Sequence, residues 1–133
     1  MNDLIARPDI ITEDEITLLV ETFYARVMED ELLAPIFASR IHSWEAHLSL
    51  LRDFWSSVLL ASGRYKGHLM LAHFQLQLQP QHFARWIALF RATANDVLPP
   101  PAAQLAILKA ESLATNMQRG LQIYGMLDES AEA

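Results

Sequence analysis

The chemistry this chain can do rests on a few rings: five histidines, three tyrosines and three tryptophans, with no cysteine at all. His73 is the most telling of them. It stands among Leu69, Met70, Leu71 and Phe74, so its imidazole is expected against apolar surface, where it must hydrogen-bond, lose its charge or ligate a metal. The close histidine pairs, His42/His47 and His68/His73, are each offset by five positions, which on a helix turns the two rings about 140° apart. One helix face therefore does not present a metal-binding pair, and without thiolates the case for a local zinc site is weak. A planar cofactor between helices makes other demands: one strong protein ligand, a long apolar wall, and one or two polar groups on the far side. Tyr24, His47 and Trp86 are polar tips on three apolar stripes, and buried Tyr and Trp normally find a partner for O–H or N–H. Each is equally at home as an ordinary core residue.

These rings have to be positioned by helices. Thr12-Glu13-Asp14-Glu15 reads as a capping box, with acid in the first turn to suit the helix dipole. Ile16, Leu19, Val20, Phe23, Tyr24 and Val27 then recur at helical spacing, predicting a helix to about Glu29. Residues 1–11 read as a loose lead-in, and Asp30 to Phe37, with Pro35, as a corner. A second helix is expected from a Ser43 cap to Ser62-Gly63, with Gly63 ending it. Its stripe is Trp44, His47, Leu48, Leu51, Phe54, Trp55, Val58 and Leu59. After a turn, Leu69 to Phe74 has room only for a short helical piece. Pro80 opens a third long helix on Phe83, Trp86, Ile87, Phe90 and Val97, stopped by Pro99-Pro100-Pro101. A fourth is predicted from about Ala102 to Ile123 on Leu105, Leu108, Leu113, Met117 and Leu121, followed by a short, acidic, frayed tail from Asp128. No strand-like alternation, repeat or linker interrupts this order. The fold class is all-α.

Bulk numbers narrow the function. A chain of 133 residues fits one domain. Its 52% hydrophobic share is enough to line an apolar pocket or simply to cover helix contacts. The net charge of -6 repels phosphate backbones and argues against nucleic acid. There is no polybasic run for an anionic membrane and no apolar stretch long enough to cross one. The acidic start, Met1-Asn2-Asp3, lacks the basic region of a signal peptide, so a cytoplasmic location is expected. Zero cysteines exclude disulfides, a thiol nucleophile and thioether-linked haem. Ser56-Ser57 sits mid-helix with no base nearby in sequence, and Glu13 to Glu15 reads as capping rather than a catalytic carboxylate pair.

Taken together, several spaced motifs carry a resemblance. They are Phe23-Tyr24, Pro35-Ile36-Phe37, Trp44-x-x-His47, Phe54-Trp55, Tyr65-x-Gly67, Met70-x-x-His73 and Phe83-x-x-Trp86-x-x-x-Phe90, in that order. The chain resembles the third group of the truncated haemoglobins over roughly residues 12–125, and like that group it lacks the paired-glycine motifs of the others. The resemblance implies a single domain over residues 1–133, folded as a two-over-two helical globin sandwich around haem b. It implies His73 as proximal ligand to the haem iron, and Tyr24, His47 and Trp86 on the distal side. Phe37, Leu51, Phe54, Trp55 and Met70 become pocket lining, with Tyr65 and Lys66 beside the cofactor. Arg64, Lys66, Tyr65 and Arg85 are candidates for holding the propionates, each also readable as solvated surface. Leu69 stands in a region where the family usually carries a proline.

The implied function is binding of oxygen, nitric oxide and carbon monoxide. Three distal donors suit holding or activating a ligand more than rapid release, which favours nitric-oxide dioxygenation or peroxide reduction over oxygen transport. Such turnover would draw electrons from a reductase. Two other readings remain open at this stage: haem-based binding or sensing without turnover, and a haem-free helical interaction module. His42, His68 and His82, beside turns or helix starts, are expected to be exposed or capping.

Overall fold

The structure, a computed structural model, describes residues 10–38, 41, 43–67 and 78–132, with side chains to residue 123. Five helices are described: α1 (Glu13–Val27), α2 (Ala34–Ala38), α3 (Trp44–Leu60), α4 (Pro80–Val97) and α5 (Pro100–Glu132). No strand occurs among the described residues. The expected short helical piece at Leu69 to Phe74 lies outside them, as do His42, His68, Met70 and His73.

Local chemistry accounts for most boundaries. The capping box at the start of α1 is complete: Glu15 N–H donates to Thr12 Oγ1 at 3.1 Å, and Thr12 N–H donates to Glu15 Oε1 at 2.9 Å. Ile11 was expected in a loose lead-in, yet it is fully buried, as is Ile16. The two occupy the flanking positions of a hydrophobic staple, which fixes how the chain enters the helix. The expected corner after α1 contains the five-residue α2. Asp30 prepares it by accepting the amides of Leu32 and Leu33 at 3.1 and 3.0 Å.

Ser43 caps α3 as expected, accepting the Ala46 amide. The helix ends earlier than predicted, at Leu60, and Ala61 rather than Gly63 makes the left-handed turn, at φ 57°. Gly63 also has a positive φ, of 74°, within the following loop. Pro80 opens α4 as predicted. The proline run both ends α4 and begins α5, with Pro100 in the first position, where a missing amide costs nothing. α5 continues past Ile123 to Glu132, so the tail expected to fray from Asp128 is helical.

In the bundle α1 packs on α3 and α4, α4 on α5, and α3 on α5, a two-over-two sandwich. Arg26 ties α1 to α4 through Thr93 at 3.2 Å and Asp96 at 2.9 Å. The face of α5 is the expected one at Met117, which is buried, but not at Leu108. Leu108 is 63% exposed, whereas Ala102, Ala103, Ala106 and Ala110 are fully buried. Alanine at these spacings leaves little side chain between two helices, so α5 approaches its neighbours closely. Leu105 and Leu113 pack on the flanks of that seam.

Candidate functional site

One cavity in the described structure gathers residues from all five helices. Its volume is about 120 Å³. α1 supplies Tyr24, α2 and the turn before it Leu33, Ile36 and Phe37, and α3 His47, Leu51, Phe54 and Trp55. α4 and the residues leading into it give Leu78, His82, Phe83 and Trp86, and α5 gives Leu113, Ala114 and Met117. The wall is carbon, interrupted by few polar tips.

Ring packing holds those tips in place. Tyr24 meets Phe23 edge-on at 4.7 Å, Phe37 at 6.0 Å and His47 at 6.1 Å. His47 is also braced edge-on by Trp44 at 5.6 Å and Phe37 at 6.5 Å. Behind them Phe90 stacks on both Trp55, at 5.1 Å, and Trp86, at 5.4 Å. Such pairs add order to plain area burial. Three helices are thereby locked at the positions that face the cavity.

Tyr24 is the electrostatic centre. Burial pushes its phenol well above the usual value, and hydrogen bonds from Trp86 and Trp55 offset this only in part. The phenol therefore stays protonated throughout the ordinary pH range. Indole N–H groups can only donate, so they occupy acceptor positions on the phenol oxygen and leave its own proton to be given elsewhere. Trp55, expected as lining, thus joins Trp86 as a donor to Tyr24.

Tyr24, His47, Trp86, Phe37, Leu51, Phe54 and Trp55 all reach the cavity wall together. Tyr65 stands one layer back. Its ring packs edge-on to Phe54 at 5.1 Å, its amide donates to Ser57 Oγ at 2.9 Å, and burial raises its phenol. A β-carbon on Gly67 would come within 2.6 Å of Tyr65 Cζ, a physical reason for the Tyr-x-Gly spacing. Lys66 is exposed. Arg64 pairs with Glu13 at 2.9 Å and Asp53 at 3.3 Å, and Arg85 with Asp30 at 2.9 Å.

Leu33, Ile36, Leu78, His82, Phe83, Leu113, Ala114 and Met117 also line the cavity, beyond the residues expected there. Periodicity marks a residue as inward-facing but does not say whether it meets packing or space. His82 does cap as expected, with Nδ1 accepting the Gln79 amide at 2.8 Å. It also borders the cavity.

A helical sandwich that turns a buried phenol toward an apolar cavity is the architecture of a protein that encloses a planar cofactor between its helices. The bacterial-like globin family model matches residues 9–119. The chain is 31% identical over 122 residues to the group 3 truncated hemoglobin ctb of Campylobacter jejuni, covering 88% of this chain and 96% of the relative. The crystal structure of group III truncated hemoglobin from that organism superposes with a TM-score of 0.78 at 32% identity, over 84% of this chain and 91% of the other. This chain belongs to the bacterial-like globins, and among them to the group III truncated haemoglobins. Membership implies a haem cofactor and the binding of small diatomic ligands such as oxygen. The donor set agrees: an apolar wall accepts a macrocycle, and one buried phenol with a proton to give suits a ligand on its far face. Among the described residues no helix is long and apolar enough to cross a membrane.

Proposed function

We propose that this protein, folded as one globin domain along its whole length, holds haem b with His73 as the iron ligand. In this reading it turns over a diatomic ligand rather than merely carrying it. The observation that carries the proposal is Tyr24, a buried phenol that accepts from two indoles and faces the cavity. A haem bound here supplies reversible ligand binding at iron and one-electron redox chemistry.

The chain's own residues do the rest. The neutral Tyr24 donates a hydrogen bond to a ligand that draws in electron density, which retains it. Trp86 and Trp55 hold the phenol oxygen in place, so the donor is oriented before any ligand arrives. His47, braced by Trp44 and Phe37, stands beside Tyr24 as a second polar group on the same face. Phe37, Leu51 and Phe54 exclude water. Retention favours reaction over release. Oxygen and nitric oxide together give nitrate, with one electron per turn drawn from a reductase; peroxide reduction uses the same donors. A cytoplasmic setting would supply both reductant and substrate.

Three measurements test this. The purified protein should show a Soret band that His73→Ala abolishes; a colourless protein that takes up no added haemin overturns the cofactor assignment. Oxygen release should be slow and nitrate formation on mixing with nitric oxide fast. Rapid oxygen release without nitrate would favour binding or sensing instead.

A further inference from the structure

Among the described residues, three titratable side chains wall the cavity: Tyr24, His47 and His82. The first two face a diatomic ligand in the function proposed above, while His82 has no part in it. Its geometry is nonetheless specific. Nδ1 accepts the Gln79 amide proton at 2.8 Å, and a nitrogen that accepts carries no proton of its own. The nitrogen left to donate is therefore Nε2. The α4 cap thus selects which nitrogen donates, and the half-buried ring that carries it is part of the cavity wall.

The carboxylates of a haem need such a donor. They are anionic, so they belong at the partly exposed edge of an otherwise apolar pocket. Two cations that could meet them are engaged elsewhere: Arg64 with Glu13 and Asp53, and Arg85 with Asp30. His82 lies in the first turn of α4, where the helix dipole also favours negative charge. We propose that His82 is a positioning residue for the cofactor, locked by the α4 cap as the Nε2–H tautomer and donating to a haem carboxylate at the cavity edge. This inference rests on the haem reading of the cavity.

Two variants separate positioning from capping. His82→Glu keeps an acceptor for the Gln79 amide, as in an ordinary capping box, but has no proton to give and repels a carboxylate. His82→Gln keeps both an acceptor and a donor. Haemin transfer to an excess of an apo-globin acceptor should be about tenfold faster or more for His82→Glu, the order expected for losing a hydrogen bond to a charged group. His82→Gln should stay within about threefold of the parent. Resonance Raman of the haem-loaded protein should show the propionate bending band moved in the Glu variant and nearly unmoved in the Gln variant. Unchanged haemin loss and an unmoved band in His82→Glu would overturn the proposal, leaving His82 a cap alone. Equal acceleration in both variants would overturn it too, because ring shape rather than the donor would then matter. If the parent protein takes up no haemin, the haem reading itself fails, and the uptake measurement registers that before either variant is compared.

Discussion

α1 and α3 bury a hydroxyl at each end of their contact, and the two hydroxyls have opposite fates. At one end Tyr24 stands in apolar surroundings with two indoles donating to its oxygen and a cavity in front of it. At the other, Ser56 is completely buried, giving its proton to Glu13 Oε2 at 2.7 Å and sharing a hydrogen bond with Ser62 Oγ at 2.9 Å. Glu13 in turn holds Arg64. A hydroxyl donates once and accepts twice. Ser56 spends its donor on a neighbour and faces no space, so it can only join α1, α3 and the loop after α3. Tyr24 keeps its proton and faces an opening. Buried polarity becomes a site where a valence is left over and there is room for something to use it.

The largest test of that contrast is kinetic. Tyr24→Phe should speed oxygen dissociation about 10- to 100-fold in stopped-flow, the range for a hydrogen bond to a partly charged acceptor, whereas Ser56→Ala should leave the rate alone. Equal rates for Tyr24→Phe and the parent would erase the distinction between the two hydroxyls.

A pH series sharpens it. Because the folded phenol titrates above its ordinary value, near 10.0, Tyr24 contributes stability that is complete below that value. As pH rises past it, the unfolded chain ionises first and stability falls, by up to about 1.4 kcal/mol per pH unit. Urea unfolding at pH 9 and pH 11 should show a drop that is smaller by this contribution in Tyr24→Phe. An identical drop in both proteins would mean the phenol is not held neutral.

Ser56→Ala should act on stability instead, costing about 1 kcal/mol in urea unfolding by removing a buried donor and its bond to Glu13. If it instead changes ligand release, the Ser56 cluster reaches the pocket after all. The smallest effect expected is a gain. Ala61 sits at φ 57°, where a β-carbon is penalised, so Ala61→Gly should stabilise by about 0.5 kcal/mol after the entropy cost of glycine. Thermal melts with the haem pocket unaltered would check it.

Legibility varied by type of signal. The Thr12 capping box, the Ser43 cap and the Pro80 start were plain, because each depends on residues three or four apart. The end of α3 was misread. Gly63 is the better left-handed residue on propensity, but the Ala61 amide finds the Ser57 carbonyl first. On α5 the expected stripe holds at Met117, Leu105 and Leu113 but fails at Leu108. Leucines dominate any periodic count, yet the closest helix approach selects the smaller alanines. The meeting of Tyr24, His47 and Trp86 at one cavity was legible, because polar tips on three apolar stripes must point toward the same interior. His73 and Met70 lie outside the described residues, so the proximal side rests on sequence.

By itself the sequence determined the helical order, the caps, the inward stripes and the absence of any thiol chemistry, since these follow from periodicity, composition and short-range hydrogen bonding. Only the tertiary structure decided which inward residues meet space and which meet packing. It made Trp55 a donor to Tyr24, placed Ser56 out of reach of any ligand, tied Arg64 and Arg85 to carboxylates and brought His82 to the cavity edge. Each of these depends on a contact between residues distant in the chain, and no local spacing encodes whether two such groups arrive within bonding distance or leave a gap between them.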